Sequence, residues 1–474
     1  MNTHARKTRW PAIPLLIALV LVVSSPASLA ERAAAAGVGP QRQVDVRPAA
    51  AGSLWETSSI FWFGRAGEND NYVDVRTTYD ASNLYVQANI IDYYLWWDSA
   101  AASDPRTFDA FAMYLDTDGV RTSLPASDDY FFVSGFRWYT TSGDARWQRQ
   151  GRGTGTAWDE TWRPATAWAD QIGYRWYSSG PNNNSDRDAG WVATMTVPWT
   201  TLGLAGPPAA GTTWALGVQV LDRDDASAPR ASIAWPETFV QNAPTSWARF
   251  AFDPARPSPA AGASTLRIRR GLNGQVADAY AGGGGTCAGG IYGGGDTPHP
   301  TGDLFVQNQS DVADFPCFTK TYLRFDLSAL PAGKTIRSAT LEVYQFGGSE
   351  PTLAQPSYIQ LLSSTGGWDE ATMTWNNAPL ATRNYGGSWV NPIQTFPGWP
   401  GVKASWDATS PVTEAYVAGQ SVNLVLYSAD TAYHSGKYFV GSEVGDWDAD
   451  GRPTLVVTWD EPSGVYTITL PILK

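Results

Sequence analysis

Apolar and polar side chains alternate one by one along much of this chain, the period of a strand with one covered face. The clearest case is Tyr72-Val73-Asp74-Val75-Arg76-Thr77-Thr78-Tyr79, which turns at Asp80-Ala81-Ser82-Asn83. The chain returns as Leu84-Tyr85-Val86-Gln87-Ala88-Asn89-Ile90, with Leu84, Val86, Ala88 and Ile90 on one face. This reads as a hairpin half-buried on a core. Further alternating runs lie at residues 108–115, 191–197, 214–221 and 247–252. Gly/Pro/Asn-rich loops separate them without a convincing helical period, which predicts an antiparallel β-sandwich over residues 43–253.

The pattern breaks at residues 254–264, where prolines among Ala, Ser and Gly make an extended linker with nothing to build a core. Alternation then resumes at Val276-Ala277-Asp278-Ala279-Tyr280. It continues in residues 321–330 and 336–343 around the turn Pro331-Ala332-Gly333, and in Asn423-Leu424-Val425-Leu426-Tyr427. The fold class is therefore all-β, two antiparallel β-sandwich domains in tandem, the second over residues 265–460. Residues 31–42 read as a leader. Residues 461–474 form an apolar alternating tail, either a detached strand that pairs with another protein or a short export or anchoring tag.

Composition sharpens this picture. The 474 residues are only 16% charged and hold 46 Gly, 32 Pro and 23 Trp, a profile of short strands and many turns. So many tryptophans exceed what a core requires, and some must face a ligand with apolar faces and polar edges. Residues 1–30 read as a secretory signal peptide: Arg6, Lys7 and Arg9 precede the apolar run 13–23, and Ser28-Leu29-Ala30 supplies small residues for cleavage. The mature chain is then expected outside the cytoplasm with no transmembrane segment. A net charge of −12 argues against nucleic acid or anionic lipid as partner. Cys287 and Cys317, the only two cysteines, are read as one disulfide in a secreted chain. Closing that loop would stabilise by about 3–4 kcal/mol. With only three histidines, a His-based triad or zinc site has almost no material.

The candidate ligand contacts are Trp96 and Trp97, adjacent rings that point different ways where a strand runs out, with Trp138, Trp176 and Trp235 in Gly/Ser-rich or Pro-flanked surroundings. Asp116-Thr117-Asp118-Gly119 serves equally as a hairpin turn or as the start of a calcium loop. Asp446-Trp447-Asp448-Ala449-Asp450-Gly451 repeats the ambiguity with oxygens at alternate positions. Val457 stands where an EF-hand needs its bidentate Glu, so a true EF-hand is excluded.

Two resemblances follow from ordered motifs. Val75 to Tyr79, Asn83-Leu84-Tyr85-Val86 ending at Asp92, Phe108-Asp109-Ala110-Phe111, Tyr114-Leu115-Asp116, Val197-Pro198-Trp199-Thr200-Thr201-Leu202-Gly203 and Gly217 to Asp222 together resemble the family 9-like carbohydrate-binding domains. That resemblance implies a β-sandwich, often holding calcium, that in some members clamps sugars between tryptophans. Tyr322-Leu323-Arg324-Phe325-Asp326-Leu327-Ser328, Ser338-Ala339-Thr340-Leu341 and the pattern of Trp368, Glu370, Thr374, Trp375, Asn377 and Pro379 lead to a final Arg452-Pro453 strand. This series is similar to the DNRLRE domain, related to carbohydrate-binding module family 96. It implies a jelly-roll-like sandwich with a binding or surface-display role, and related members bind acidic polysaccharides such as alginate. For an acidic glycan the available cations are Arg324, Arg337, Lys437 and Arg452. Arg324 equally suits a structural pairing, and Trp368, Trp375 and Glu370 suit a packed loop. The expected function is a secreted, non-catalytic protein that binds polysaccharide or cell-surface glycan through two modules, with calcium as cofactor. The alternative is a cell-surface structural or adhesion protein with the sandwiches as spacers. Asp369 and Glu370, adjacent in sequence, do not make the separated carboxylate pair that glycoside hydrolysis needs.

Overall fold

The computed structural model describes residues 41–461 apart from 99, 101–102, 138–144, 175–182, 228–230, 283–294, 299–301, 309–317, 349–351 and 431–433. The signal peptide, Cys287, Cys317, Trp138, Trp176 and the tail beyond Glu461 lie outside the described residues.

The first half contributes β1 (Gln43–Pro48), β2 (Ser59–Gly67), β3 (Asp70–Tyr79), β4 (Asn83–Ile91), β5 (Ala110–Asp116), β6 (Asp129–Gly135), β7 (Gln148–Gly153), β8 (Trp158–Asp159), β9 (Ala169–Tyr174), β10 (Trp191–Pro198), β11 (Thr213–Asp222), β12 (Ala231–Trp235) and β13 (Ala248–Phe252). One antiparallel sheet runs β2-β3-β4-β10-β9. Its partner runs β13-β11-β5-β6-β7-β8, with β12 beside β13 along the same edge of β11. β1 lies parallel to β13 and then to β3, bridging the two sheets. Between them Val73, Val75, Leu84, Val86 and Ile90 meet Phe111, Met113, Leu216 and Val218, all fully buried. The expected alternation of Leu84, Val86, Ala88 and Ile90 into one core is present.

The second half contributes β14 (Ser264–Ile268), β15 (Val276–Gly282), β16 (Leu304–Asn308), β17 (Phe318–Phe325), β18 (Thr335–Gly348), β19 (Ser357–Ser364), β20 (Ala381–Val390), β21 (Val402–Asp407), β22 (Val422–Ser428), β23 (Lys437–Phe439) and β24 (Thr454–Asp460). One sheet runs β15-β17-β22-β19-β20. The other runs β14-β24-β18, with β21 and β23 sharing the far edge of β18. Leu323, Phe325, Leu424 and Leu426 pack across this second core against Leu341, Val343, Trp406 and Leu455. A single α-helix among the described residues, α1 (Thr409–Val417), follows β21. The alternation read along the chain gave no hint of it.

The β3–β4 hairpin is not half-buried. Its second face is covered too: Asp74 and Arg76 are 1% and 0% exposed. Ile60, Trp62, Tyr72 and Ile91 of the first sandwich pack on Phe318, Tyr322, Leu362, Val425 and Tyr427 of the second, a third core between the halves. Four sheets are therefore stacked face to face, two inner and two outer. Each fully buried large apolar side chain contributes roughly 1.5–3 kcal/mol. A few such contacts outweigh the entropy gained by freeing a short linker, and the described residues fall in one compact unit.

Charged groups enter this third core with partners, although the Trp375 indole nitrogen is buried there without one. Asp74 accepts from the Tyr72 and Tyr427 hydroxyls at 2.7 Å each and from Asn308 Nδ2 at 3.0 Å. Arg76 donates to Ala429 O at 2.8 Å and to Asn308 Oδ1 at 3.1 Å. Lys320 Nζ donates to the Tyr72 hydroxyl and lies 3.4 Å from the Trp375 ring centroid, 4.4 Å from Trp62 and 4.8 Å from Tyr427. Burial pushes the Lys320 ammonium well below its ordinary pKa, and Asp74 opposes that shift. The linker is stapled as well, Arg256 donating to Asp45 at 3.2 Å and to Asn384 O at 3.0 Å. Among the described residues no helix is long and apolar enough to cross a membrane.

Candidate functional site

Three strand ends of the first sandwich bring Asp92, Asp109 and Asp222 together. Asp92 follows β4, Asp109 precedes β5, and Asp222 closes β11, so carboxylates from both sheets converge at one end of the sandwich. One oxygen of each lies within 4.8 Å of the others, and all three residues are buried. Asp109 is held from both sides, accepting from Trp96 N at 2.6 Å and from Arg223 N at 2.9 Å. Asp92 accepts from Tyr94 N at 3.1 Å through Oδ1 only. Asp92 Oδ2 and Asp222 Oδ1 are buried without a hydrogen-bond partner. None of the three makes an ion pair among the described residues. Burial raises the pKa of each, and repulsion adds to it, from Asp222 on Asp92 and from Asp92 and Asp222 on Asp109. A buried carboxylate group with orphaned oxygens is costly unless a cation completes it. Oxygen–oxygen separations up to 4.8 Å span a hard divalent ion with ligand distances of about 2.3–2.6 Å.

Two other acidic groups converge. Asp116 and Asp118 join Asp128. Both Asp116 oxygens are already engaged, by Asp118 N, Gly119 N and Arg121 N, which is how the carboxylate of a tight turn behaves. A Cβ on Gly119, whose φ is +72°, would meet Thr213 O at 2.3 Å, so the turn needs its glycine. In the second sandwich Asp278, Glu370 and Glu443 converge, with Asp278 accepting from both the amide and the hydroxyl of Ser442.

The remaining candidates separate. Asp446 pairs with Arg452 at 2.8 Å and Asp450 with Arg269 at 2.6 Å, while Asp448 is buried, so the structure turns these three carboxylates to different surroundings. Trp235 is 1% exposed and packs 4.1 Å from the Phe61 ring. Trp96 and Trp97 are half-buried on the lip of the Asp109 cluster, Trp97 lying 5.3 Å from Trp147. Arg324 donates to Trp368 O at 2.8 Å and covers that ring at 4.8 Å, and Arg337 pairs with Asp460 at 2.6 Å. Trp368 and Trp375 are buried. Directly after Trp375, Asn376 exchanges two hydrogen bonds with the Ala66 backbone, so this stretch docks onto the first sandwich.

Sequence reading missed Asp92, Asp109 and Asp222 as a set, because three strand ends far apart in sequence carry no local motif. It also passed over the exposed rings Trp389, Trp399 and Trp447, at 51%, 51% and 68% exposure. A usable signal existed for two of them: Trp399 sits in Pro397-Gly398-Trp399-Pro400-Gly401 and Trp447 between two aspartates, settings hostile to a strand core.

Residues 277–458 match carbohydrate-binding module family 96. The match begins in β15 and ends in β24, so it covers the second sandwich. No curated protein matches the chain. Among solved structures, the chain is similar to a carbohydrate-binding module family 9 protein from Caldicellulosiruptor kristjanssonii in complex with cellotriose. That alignment has 16% identity, covers 45% of this chain and 95% of the other, and has a TM-score of 0.31. The module from the same organism in complex with glucose aligns at 15% identity over 45% of this chain and 98% of the other, with a TM-score of 0.30.

Proposed function

We propose that the protein is a secreted, non-catalytic polysaccharide-binding protein, with calcium held by Asp92, Asp109 and Asp222. The observation that carries the binding role is the match of residues 277–458 to a carbohydrate-binding family. The N-terminal pattern of basic, apolar and small residues supports export. The orphaned oxygens of Asp92 and Asp222 support the cation, which would supply positive charge to a buried acidic site and fix the loops carrying Trp96 and Trp97. In the hollow beside Glu370 the neighbours are Asp326, Asp369, Arg270 and Arg324, with both arginines beside the acids, an arrangement suited to structure rather than to glycosidic bond cleavage.

The test uses the whole chain, since dividing it would expose the third core. It is screened on neutral and acidic polysaccharides by affinity electrophoresis, with calcium and with chelator. Retardation by at least one polymer is expected. Absence of binding to every polymer would overturn the reading and leave a surface scaffold.

A further inference from the structure

We propose that Trp399 and Trp447, backed by Phe396 and Phe346, form a binding corner for a neutral pyranose polymer on the outer face of the second sandwich. The proposal rests on the polysaccharide-binding reading and names the surface and the ligand class. Trp399 is the hub: its ring centroid lies 5.4 Å from Trp447, 5.4 Å from Phe396 and 5.6 Å from Phe346. Trp399 and Trp447 stand edge to face at 89°, so they form two walls of a corner. Phe346 continues the surface to Tyr438 at 6.3 Å. Trp399, Trp447 and Phe396 are 51%, 68% and 43% exposed, a contiguous apolar surface of the kind that marks interaction sites.

Both tryptophans sit on turns built to hold them. Gly401 N donates to Gly398 O at 2.9 Å, and both glycines have positive φ, +95° and +102°. A Cβ on Gly401 would meet Gln345 O at 2.2 Å, so the turn that lifts Trp399 off the sheet tolerates only glycine there. The Trp447 turn is pinned by Arg452, which donates to Val444 O at 2.7 Å and to Asp446 at 2.8 Å. Rings fixed before binding lose little entropy when a sugar face stacks on them.

Charge chooses the ligand. Trp447 is flanked by Asp446, whose side chain is 96% exposed, and is followed by Asp450 at 84%. The nearby cations Arg452 and Arg269 are already paired with these two carboxylates. Lys437 is buried, with Nζ directed to Gln355 O and Ser435 O. A polyuronate brought to this corner meets carboxylates whose arginine partners are already engaged, whereas a neutral pyranose stacks and donates its hydroxyls to the same acids.

The full chain, Trp399→Ala, Trp447→Ala and the double variant are titrated with soluble neutral glucans and with alginate. Trp389→Ala, at a third exposed tryptophan, is the control. Each corner variant is expected to bind the neutral polymer about ten-fold more weakly, with Trp389→Ala unchanged. If the parent binds a polymer and the double variant binds it equally well, this corner is not the site, although the polysaccharide-binding reading survives. If the parent binds alginate alone, the charge argument is overturned. If the parent binds neither, the corner proposal falls, and the wider polymer screen decides the polysaccharide-binding reading.

Discussion

Lys320 is a lysine enclosed by aromatic rings between two sandwiches, and its replacement by Met tests what that burial costs. A lysine whose folded-state pKa is depressed binds fewer protons folded than unfolded at every pH between the two values. Its stability contribution therefore rises with pH toward the unfolded value of 10.5 and is lost as pH falls toward the folded value. One proton changes stability by about 1.4 kcal/mol per pH unit inside that window. Met fills the same unbranched space, and Asp74 keeps its three neutral donors without Lys320. Urea unfolding of parent and Lys320→Met at pH 8, 9 and 10 isolates the effect, because every other titrating group is common to both. The parent should gain stability relative to the variant as pH rises, by at most about 1.4 kcal/mol per unit. Parallel curves would refute the reasoning. They would mean that the rings at 3.4–4.8 Å and Asp74 hold the ammonium charged in spite of burial.

Arg76→Leu leaves Ala429 O and Asn308 Oδ1 buried without their donor and should cost roughly 3 kcal/mol in urea unfolding, with new proteolytic cleavage within residues 254–264. A loss below about 1 kcal/mol would show that the third core does not depend on this residue. Calcium at a hundred times its dissociation constant should add about 2.7 kcal/mol to stability, read as a rise in Tm. Replacing both Asp92 and Asp222 with Asn should abolish that rise. An equal rise in the variant would move the cation to another acidic group.

The strands were legible because alternation is local: Leu84, Val86, Ala88 and Ile90 are all 0% exposed, as their period requires. The same rule misjudged Asp74 and Arg76, since alternation records which side chains share a face and not what covers that face. Their solvent-facing assignment failed because a second sheet, more than two hundred residues away in sequence, supplies Asn308 and Tyr427 as partners. α1 stayed hidden for a related reason. Its nine residues include Pro411 and two β-branched threonines, and its stability comes from packing Val412 on the second core rather than from propensity. The carboxylate cluster needs three strand ends to meet, which only the pairing of β5 with β11 and the stacking of β4 over them bring about.

The four-layer stack also decides what ligands on its two halves could do together. Modules on a loose tether can fold back and grip one polymer twice, and the gain depends on both sites reaching it at once. Here the inner sheets are consumed by the third core, and the two remaining broad faces look in opposite directions. A ligand on each would belong to two different strands of a matrix, held a fixed protein thickness apart. In that geometry a molecule carrying a ligand on each face would act as a rivet, and its action on a polymer solution would be read as gel stiffness rather than as tighter binding.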